Sequence, residues 1–232
     1  MNTVENAIES ESIHKKKTSN HPIGLIQILF QPTHYFSKLR VERKLGINIL
    51  LILAIYGIVS FFLSRYLLQT NEITSMLSPE LQNDSTYSLL YIGTTILSII
   101  QFLFNIALIT VIYKVVLFFL RIGITFKGLF HIVFIAQVPI ILGKIVNLLF
   151  IDKGTIEMPI TSLGFTFQNM IESNFLVSLF TNFEFFNLWS TLLIGWGIHV
   201  CLQMSKKKSF LIAFLTWGAF ILISSLILTA LS

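Results

Sequence analysis

Five apolar runs, each long enough to cross a lipid bilayer, dominate the chain and leave little room for any other architecture. They cover residues 46–68, 88–120, 128–150, 185–204 and 209–231. A helix needs about 20 such residues to traverse the hydrocarbon. The first run is uncharged until Arg65, and the last carries no charge at all. Hydrophobic residues make up 54% of the chain and charged ones 12%, where a soluble domain carries about 25% charged. A soluble domain of this size could not hide so much apolar surface. The expected fold class is therefore all-α: a polytopic membrane protein built as a bundle of five transmembrane helices. The second run is the longest, and at about 1.5 Å per residue it reaches roughly 50 Å, so it must tilt or project from the bilayer.

The distribution of charge tests that count. The N-terminal segment and the turns near 121–127 and 205–209 hold Lys15, Lys16, Lys17, Lys38, Arg40, Arg43, Lys44, Arg121, Lys127, Lys206, Lys207 and Lys208, which is 12 of the 16 basic residues. The intervening loops, 69–87 and 151–184, hold one, Lys153, beside Glu72, Glu80, Asp84, Asp152, Glu157, Glu172 and Glu184. Lys and Arg gather on the cytoplasmic side of membrane spans. The alternation predicts a cytoplasmic N-terminus, a C-terminus outside, and the cell membrane as location. A net charge of +5 thus reports orientation, not nucleic-acid binding.

Outside the spans, residues 1–20 lack aromatics and read as a disordered cytoplasmic tail, followed by a membrane domain over 21–232. No cleavable signal peptide is visible, so the first span is expected to act as its own signal. Pro32 ends a short apolar stretch, and Thr33 can cap a helix running to about Lys44. That helix places Phe36 and Leu39 on one face and cations around it, which suits the headgroup region. In the outer loop Phe165, Phe167, Met170, Ile171, Phe175, Leu176, Leu179 and Phe180 recur at helical spacing after Gly164. They predict an amphipathic helix on the outer leaflet or folded back onto the bundle.

Polar groups within hydrocarbon are costly and so mark candidate sites. Gln101 and Asn105 share a face of the second span. Gln137 sits at similar depth in the third, just before Pro139, which lacks an N–H and strips the carbonyl four residues earlier of its partner. Together with Lys144 these residues outline a mid-membrane polar site, or simply interhelical hydrogen bonds contributing about 1 kcal/mol or less each. Lys144 is close enough to the span end to snorkel outward or to pair with Asp152 or Glu157; Arg65 and Lys114 are expected to snorkel too. His131, His199 and the single cysteine, Cys201, lie near one another in depth, but His199 and Cys201 point to different helix faces. No metal site and no cofactor are expected. The chain contains no metalloprotease His-Glu pattern, no nucleophile elbow and no phosphate loop, and its spans contain no acid, so no enzyme activity is expected.

Three stretches, Gln31 to Phe36, Gly123 to Phe130 with Ala136 to Gly143, and Phe186 to Trp189 with Ile194-Gly195 and Ser205 to Lys208, together resemble the Yip (Ypt/Rab-interacting protein) domain family in its bacterial branch. Gln31-Pro32-Thr33-His34-Tyr35-Phe36 is similar to the family's segment leading into the first span. Gly123 to Phe130, with Phe126, followed by Ala136 to Gly143, with Pro139, resembles its short turn and proline-bearing third helix. Phe186-Asn187-Leu188-Trp189, then Ile194-Gly195 and Ser205 to Lys208, resembles the approach to its last span. The resemblance implies a five-helix membrane domain without known catalysis, in which Pro32, Phe36, Phe126, Pro139, Trp189 and Gly195 shape the bundle. It implies a non-enzymatic accessory or scaffold protein that binds another integral membrane protein, with an ABC-type exporter as the expected partner class. The eukaryotic Asp-Leu-Tyr-Gly-Pro signature is missing, so a Rab-type GTPase is not an expected partner. The competing reading is a small transporter or channel using Gln101, Asn105, Gln137 and Lys144; an enzyme of unfamiliar type is a third.

Overall fold

Apolar surface of this kind is buried by packing helix on helix, and the computed structural model does so with ten helices among the residues it describes, 24–42, 46–68, 84–150, 158–167, 169–171 and 173–231. They are α1 (Leu25–Phe30), α2 (Pro32–Glu42), α3 (Gly46–Leu68), α4 (Asp84–Phe119), α5 (Phe126–Ile135), α6 (Val138–Leu149), α7 (Leu163–Phe167), α8 (Asn174–Asn182), α9 (Phe185–Leu202) and α10 (Lys206–Leu231). Five spans result: α3, α4, the pair α5–α6, α9 and α10. The chain is thus an all-helical, multi-pass membrane protein. The tail 1–20, Arg43, Lys44 and most of the loop 69–87 lie outside the described residues.

Span ends differ from the sequence limits where turn chemistry intervenes. Arg121 and Gln203 adopt left-handed φ values of 57° and 55°, the conformation that commonly closes a helix. His199 Nδ1 pairs with the Met204 carbonyl across the second turn. Lys206 to Lys208 therefore form the first turn of α10 rather than a loop, and Lys206 Nζ stands 5.0 Å from the Trp196 ring centre. At the other turn Thr125 caps α5, accepting from Gly128 N at 3.2 Å. Lys114, expected to snorkel, donates to the Ile124 carbonyl in this turn.

The helix before the first span packs against the bundle more closely than its composition suggests. It begins at Pro32, not after Thr33: Tyr35 N bonds the Gln31 carbonyl at 3.1 Å, and proline suits the first helical position because its missing N–H would be unpaired there anyway. Tyr35 and Phe36 are fully buried, packed into the bundle. Phe36 reaches α9 opposite Gly197, where an added Cβ would lie 2.3 Å from Ile132 Cγ2 and 3.1 Å from Phe36. Asn48 at the start of α3 donates to Tyr35 Oη at 3.1 Å. A hydrogen bond and a glycine-lined socket thereby fix α2 to both the first and fourth spans.

The outer loop also differs. One amphipathic helix was expected; α7 and α8 form instead, separated at 168–173, with Met170 N bonded to Phe167 O at 2.8 Å in the turn between them. The loop folds back onto the bundle: α8 lies along α10, and Phe183 meets Trp217 edge-on with ring centres 5.1 Å apart. Gly164 allows α7 to sit against α8, since a Cβ there would fall 2.7 Å from the Thr181 nitrogen.

Overpacking a core costs about 1–3 kcal/mol. Gly197→Ala should destabilise the protein in detergent by an amount in that range, read as a lower melting temperature. Gly93→Ala, where nothing lies within 4 Å, should be neutral or stabilising by up to about 1 kcal/mol. Equal effects at both positions would contradict the socket.

Candidate functional site

Proline and glutamine together shape the centre of the bundle. Residues 136 and 137 interrupt the third span as a turn, two residues ahead of Pro139, which falls in the first turn of α6. At this turn Gln137 N bonds the Phe134 carbonyl at 3.1 Å instead of that of Val133. The displaced Val133 carbonyl is then met by Gln137 Nε2, at 3.1 Å. The side chain thus replaces the bond its own backbone gave up, which matters where no water can. Gln137 is 4% exposed, and it borders a cavity of about 110 Å³ with Tyr113, Asn187, Ser190, Thr191 and Thr216. Of these, only Gln137 stood out in the sequence; the others are neutral residues in spans, and their convergence needs the packing of α4, α9 and α10.

Gln101 and Asn105 do not join this cavity. Both are exposed on α4, in the middle of a 36-residue helix, and neither makes a side-chain hydrogen bond among the described residues. They are one and two helical turns from Ile109 on the same helix face.

Lys144 takes a third position. It turns into the bundle instead of outward, donating to Tyr56 Oη at 2.8 Å with its nitrogen 4.5 Å from the ring centre. The Tyr56 ring is held for this contact by stacking on Phe102, centre to centre 4.0 Å. Asp152 and Glu157, its other expected partners, lie outside the described residues. The acid whose carboxyl feels the Lys144 charge is Glu184, which precedes α9. Glu184 is 8% exposed and accepts from Thr161 Oγ1 at 3.1 Å. Phe185 N bonds Thr161 O at 3.3 Å, Leu163 N bonds Phe183 O at 3.0 Å, and Ile160 N bonds Asn147 Oδ1 at 3.1 Å. These bonds tie the outer loop to the ends of α6 and α9. Gly143 makes room for them, since a Cβ there would lie 2.7 Å from the Phe186 ring and 3.1 Å from Glu184.

The remaining residues are structural neighbours. Trp189 packs on Phe185 and Phe186. Gly195 faces Phe210, whose ring would be 2.9 Å from an added Cβ. Phe126 is 46% exposed beside Phe130, and Pro32 is half-buried. His131 and Cys201 border a second cavity, of about 570 Å³, with Thr125 and Lys127, while His199 is committed to the turn.

The profile of the Yip1 domain matches residues 26–227, from within α1 to within α10. The chain belongs to the Yip1 domain family. No curated protein and no solved structure matches it. In this Yip1 chain the matched region takes in all five spans and also α2, so the inserted N-terminal helix is part of the domain and not an appendage.

Burial raises the Glu184 carboxyl above its ordinary value, against the opposing pull of its bonds with Thr161 and Asn147 and of the Lys144 charge. A raised folded-state value means that the folded protein holds the proton more tightly than the unfolded chain does. Its contribution to stability is complete below the ordinary carboxylate range and is lost as pH rises through the raised value. The melting temperature should fall across that interval, and Glu184→Gln should flatten the fall. A melting temperature that climbs with pH there, and still does so in the variant, would contradict this placement.

Proposed function

We propose that this Yip1 protein is a non-enzymatic accessory or scaffold subunit of a bacterial cytoplasmic membrane, holding another integral membrane protein against α4. The observation that carries this reading is the pair Gln101 and Asn105, exposed at mid-helix with no hydrogen bond of their own. An amide facing lipid is costly, and a partner helix offering a polar side chain at that depth removes the cost. Exposed Leu97, Ile100, Phe104 and Leu108 flank the pair and supply apolar contact area. An ABC-type exporter is the partner class favoured by the likeness to bacterial members. A Rab-type GTPase is not proposed, because the eukaryotic signature is missing, nor is nucleic acid, because most basic residues fall before or between the apolar runs.

In the same proposal the N-terminus, the 120–125 turn and the start of α10 face the cytoplasm, and the C-terminus lies outside. Lys127, Lys206, Lys207 and Lys208 would then meet anionic lipid, each exposed cation contributing about 1 kcal/mol. The transporter reading required Gln101, Asn105 and Gln137 around one wet cavity, and the first two are not among that cavity's walls.

Site-specific photo-crosslinking tests the proposal. A photoreactive residue at position 101 or 105 should give an adduct with a second integral membrane protein in cells, while one at Phe62, 51% exposed on α3, should not. Replacing Gln101 and Asn105 together by leucine should weaken recovery of that protein on the order of tenfold, at about 1 kcal/mol or less for each bond lost, with melting unchanged. Adducts with lipid alone, or equal adducts from all three positions, would overturn it.

A further inference from the structure

The 110 Å³ cavity beside Gln137 holds more hydrogen-bonding groups than the bundle uses. Thr216 is 7% exposed, and its hydroxyl has no partner. Ser190 is 3% exposed, and neither it nor Asn187 makes a side-chain hydrogen bond among the described residues. Gln137 commits Nε2 to Val133 and leaves Oε1 free, and Tyr113 donates to the Ala213 carbonyl at 3.0 Å, so its phenol oxygen can still accept. Unpaired groups this deep in a membrane are unfavourable unless something pairs with them.

Three features define what fits. The lining carries no carboxylate, ammonium or guanidinium, so the ligand is neutral. Its hydroxyls and amides both donate and accept, and an alcohol hydroxyl matches both roles. The volume is several times the roughly 10–15 Å³ that accommodates one water, enough for a head of a few heavy atoms but not for a whole lipid. The rest of the wall is mostly apolar, with Ile109, Ile112, Ile140, Ile194, Trp217, Phe220 and Ile221 beside Asn182, whose amide donates to the Ser178 carbonyl at 2.9 Å. Phe220 is 38% exposed, which gives a hydrocarbon chain a way out.

We propose that this cleft binds a neutral glycerol-type hydroxyl head at Thr216, Ser190, Asn187 and Gln137. Its source is a diacylglycerol whose chains leave past Phe220, or a free polyol. The site is separate from the Gln101–Asn105 surface, and a failure of either leaves the other standing.

The test uses the purified full-length chain in phosphatidylcholine nanodiscs containing a trace of diacylglycerol with a photoreactive group close to its glycerol. Irradiation should label α4 around Ile109 and Ile112 and α10 around Trp217 and Phe220. Competition by unlabelled diacylglycerol but not by glycerol identifies the lipid as the source; competition by glycerol identifies the free polyol. Thr216→Val keeps the shape and removes the hydroxyl. It should cut specific labelling about fivefold, the loss of one hydrogen bond, while the melting temperature stays the same or rises. Ser60→Ala, which removes another unpaired buried hydroxyl on α3, should leave labelling unchanged. Label spread evenly over the membrane-facing helices, or labelling that neither competitor nor Thr216→Val reduces, would overturn the assignment.

Discussion

Inside hydrocarbon no water is available to satisfy a peptide group, so each N–H and C=O must find a partner within the protein. That requirement explains why the described spans are helical throughout and why the exception at 136–137 is so informative. The backbone is broken at the middle of the third span, and the break is repaired by a side chain, Gln137 to Val133, at 3.1 Å. A leucine at 137 would leave the carbonyl open. The same residue, Gln137, also lies on the wall of the central cavity.

Close approach provides the second layer of organisation. Without a strong hydrophobic drive between helices in lipid, packing depends on small residues that let backbones meet. Gly197 receives Phe36 and Ile132, Gly195 receives Phe210, and Gly143 receives Phe186. Each glycine is matched to an aromatic ring, which accounts for part of the chain's unusual phenylalanine content of 22. The polar ties run along the same seams: Asn48 to Tyr35 at one end, Lys144 to Tyr56 within the bundle, and Thr161 to Glu184 where the outer loop closes. The bundle is therefore fixed at both ends, while Leu97, Ile100, Gln101, Phe104 and Asn105 of α4 remain exposed.

Much of this was legible before any coordinates. Apolar run length sets the five spans, and the resemblance around Pro32, Pro139 and Trp189 points to the Yip1 domain family. What escaped the sequence depends on tertiary approach. Tyr35 and Phe36 read as interfacial because their neighbours Lys38 and Arg40 are cationic, yet a glycine 161 positions away from Phe36, Gly197, creates the socket that buries the ring. Lys144 lies near enough to its span end to snorkel, but Tyr56 on another helix offers both a hydroxyl and a ring face. Thr216 and Ser190 carry no pattern that distinguishes them from ordinary span residues, and only the packing of the helices brings them with Asn187 and Gln137 around one cavity. Turn chemistry accounts for smaller displacements, such as the helix beginning at Pro32 and the lysines that open α10.

The way the chain weaves through the membrane is most directly tested by single-cysteine labelling in intact cells, in a Cys201→Ser background with one cysteine at Lys207 or at Asn169. A five-span weave with its basic turns inside predicts that an impermeant thiol reagent labels position 169 and reaches position 207 only after permeabilisation. Labelling of both positions from outside, or of neither, would show that α9 does not cross the bilayer between them and would contradict the topology.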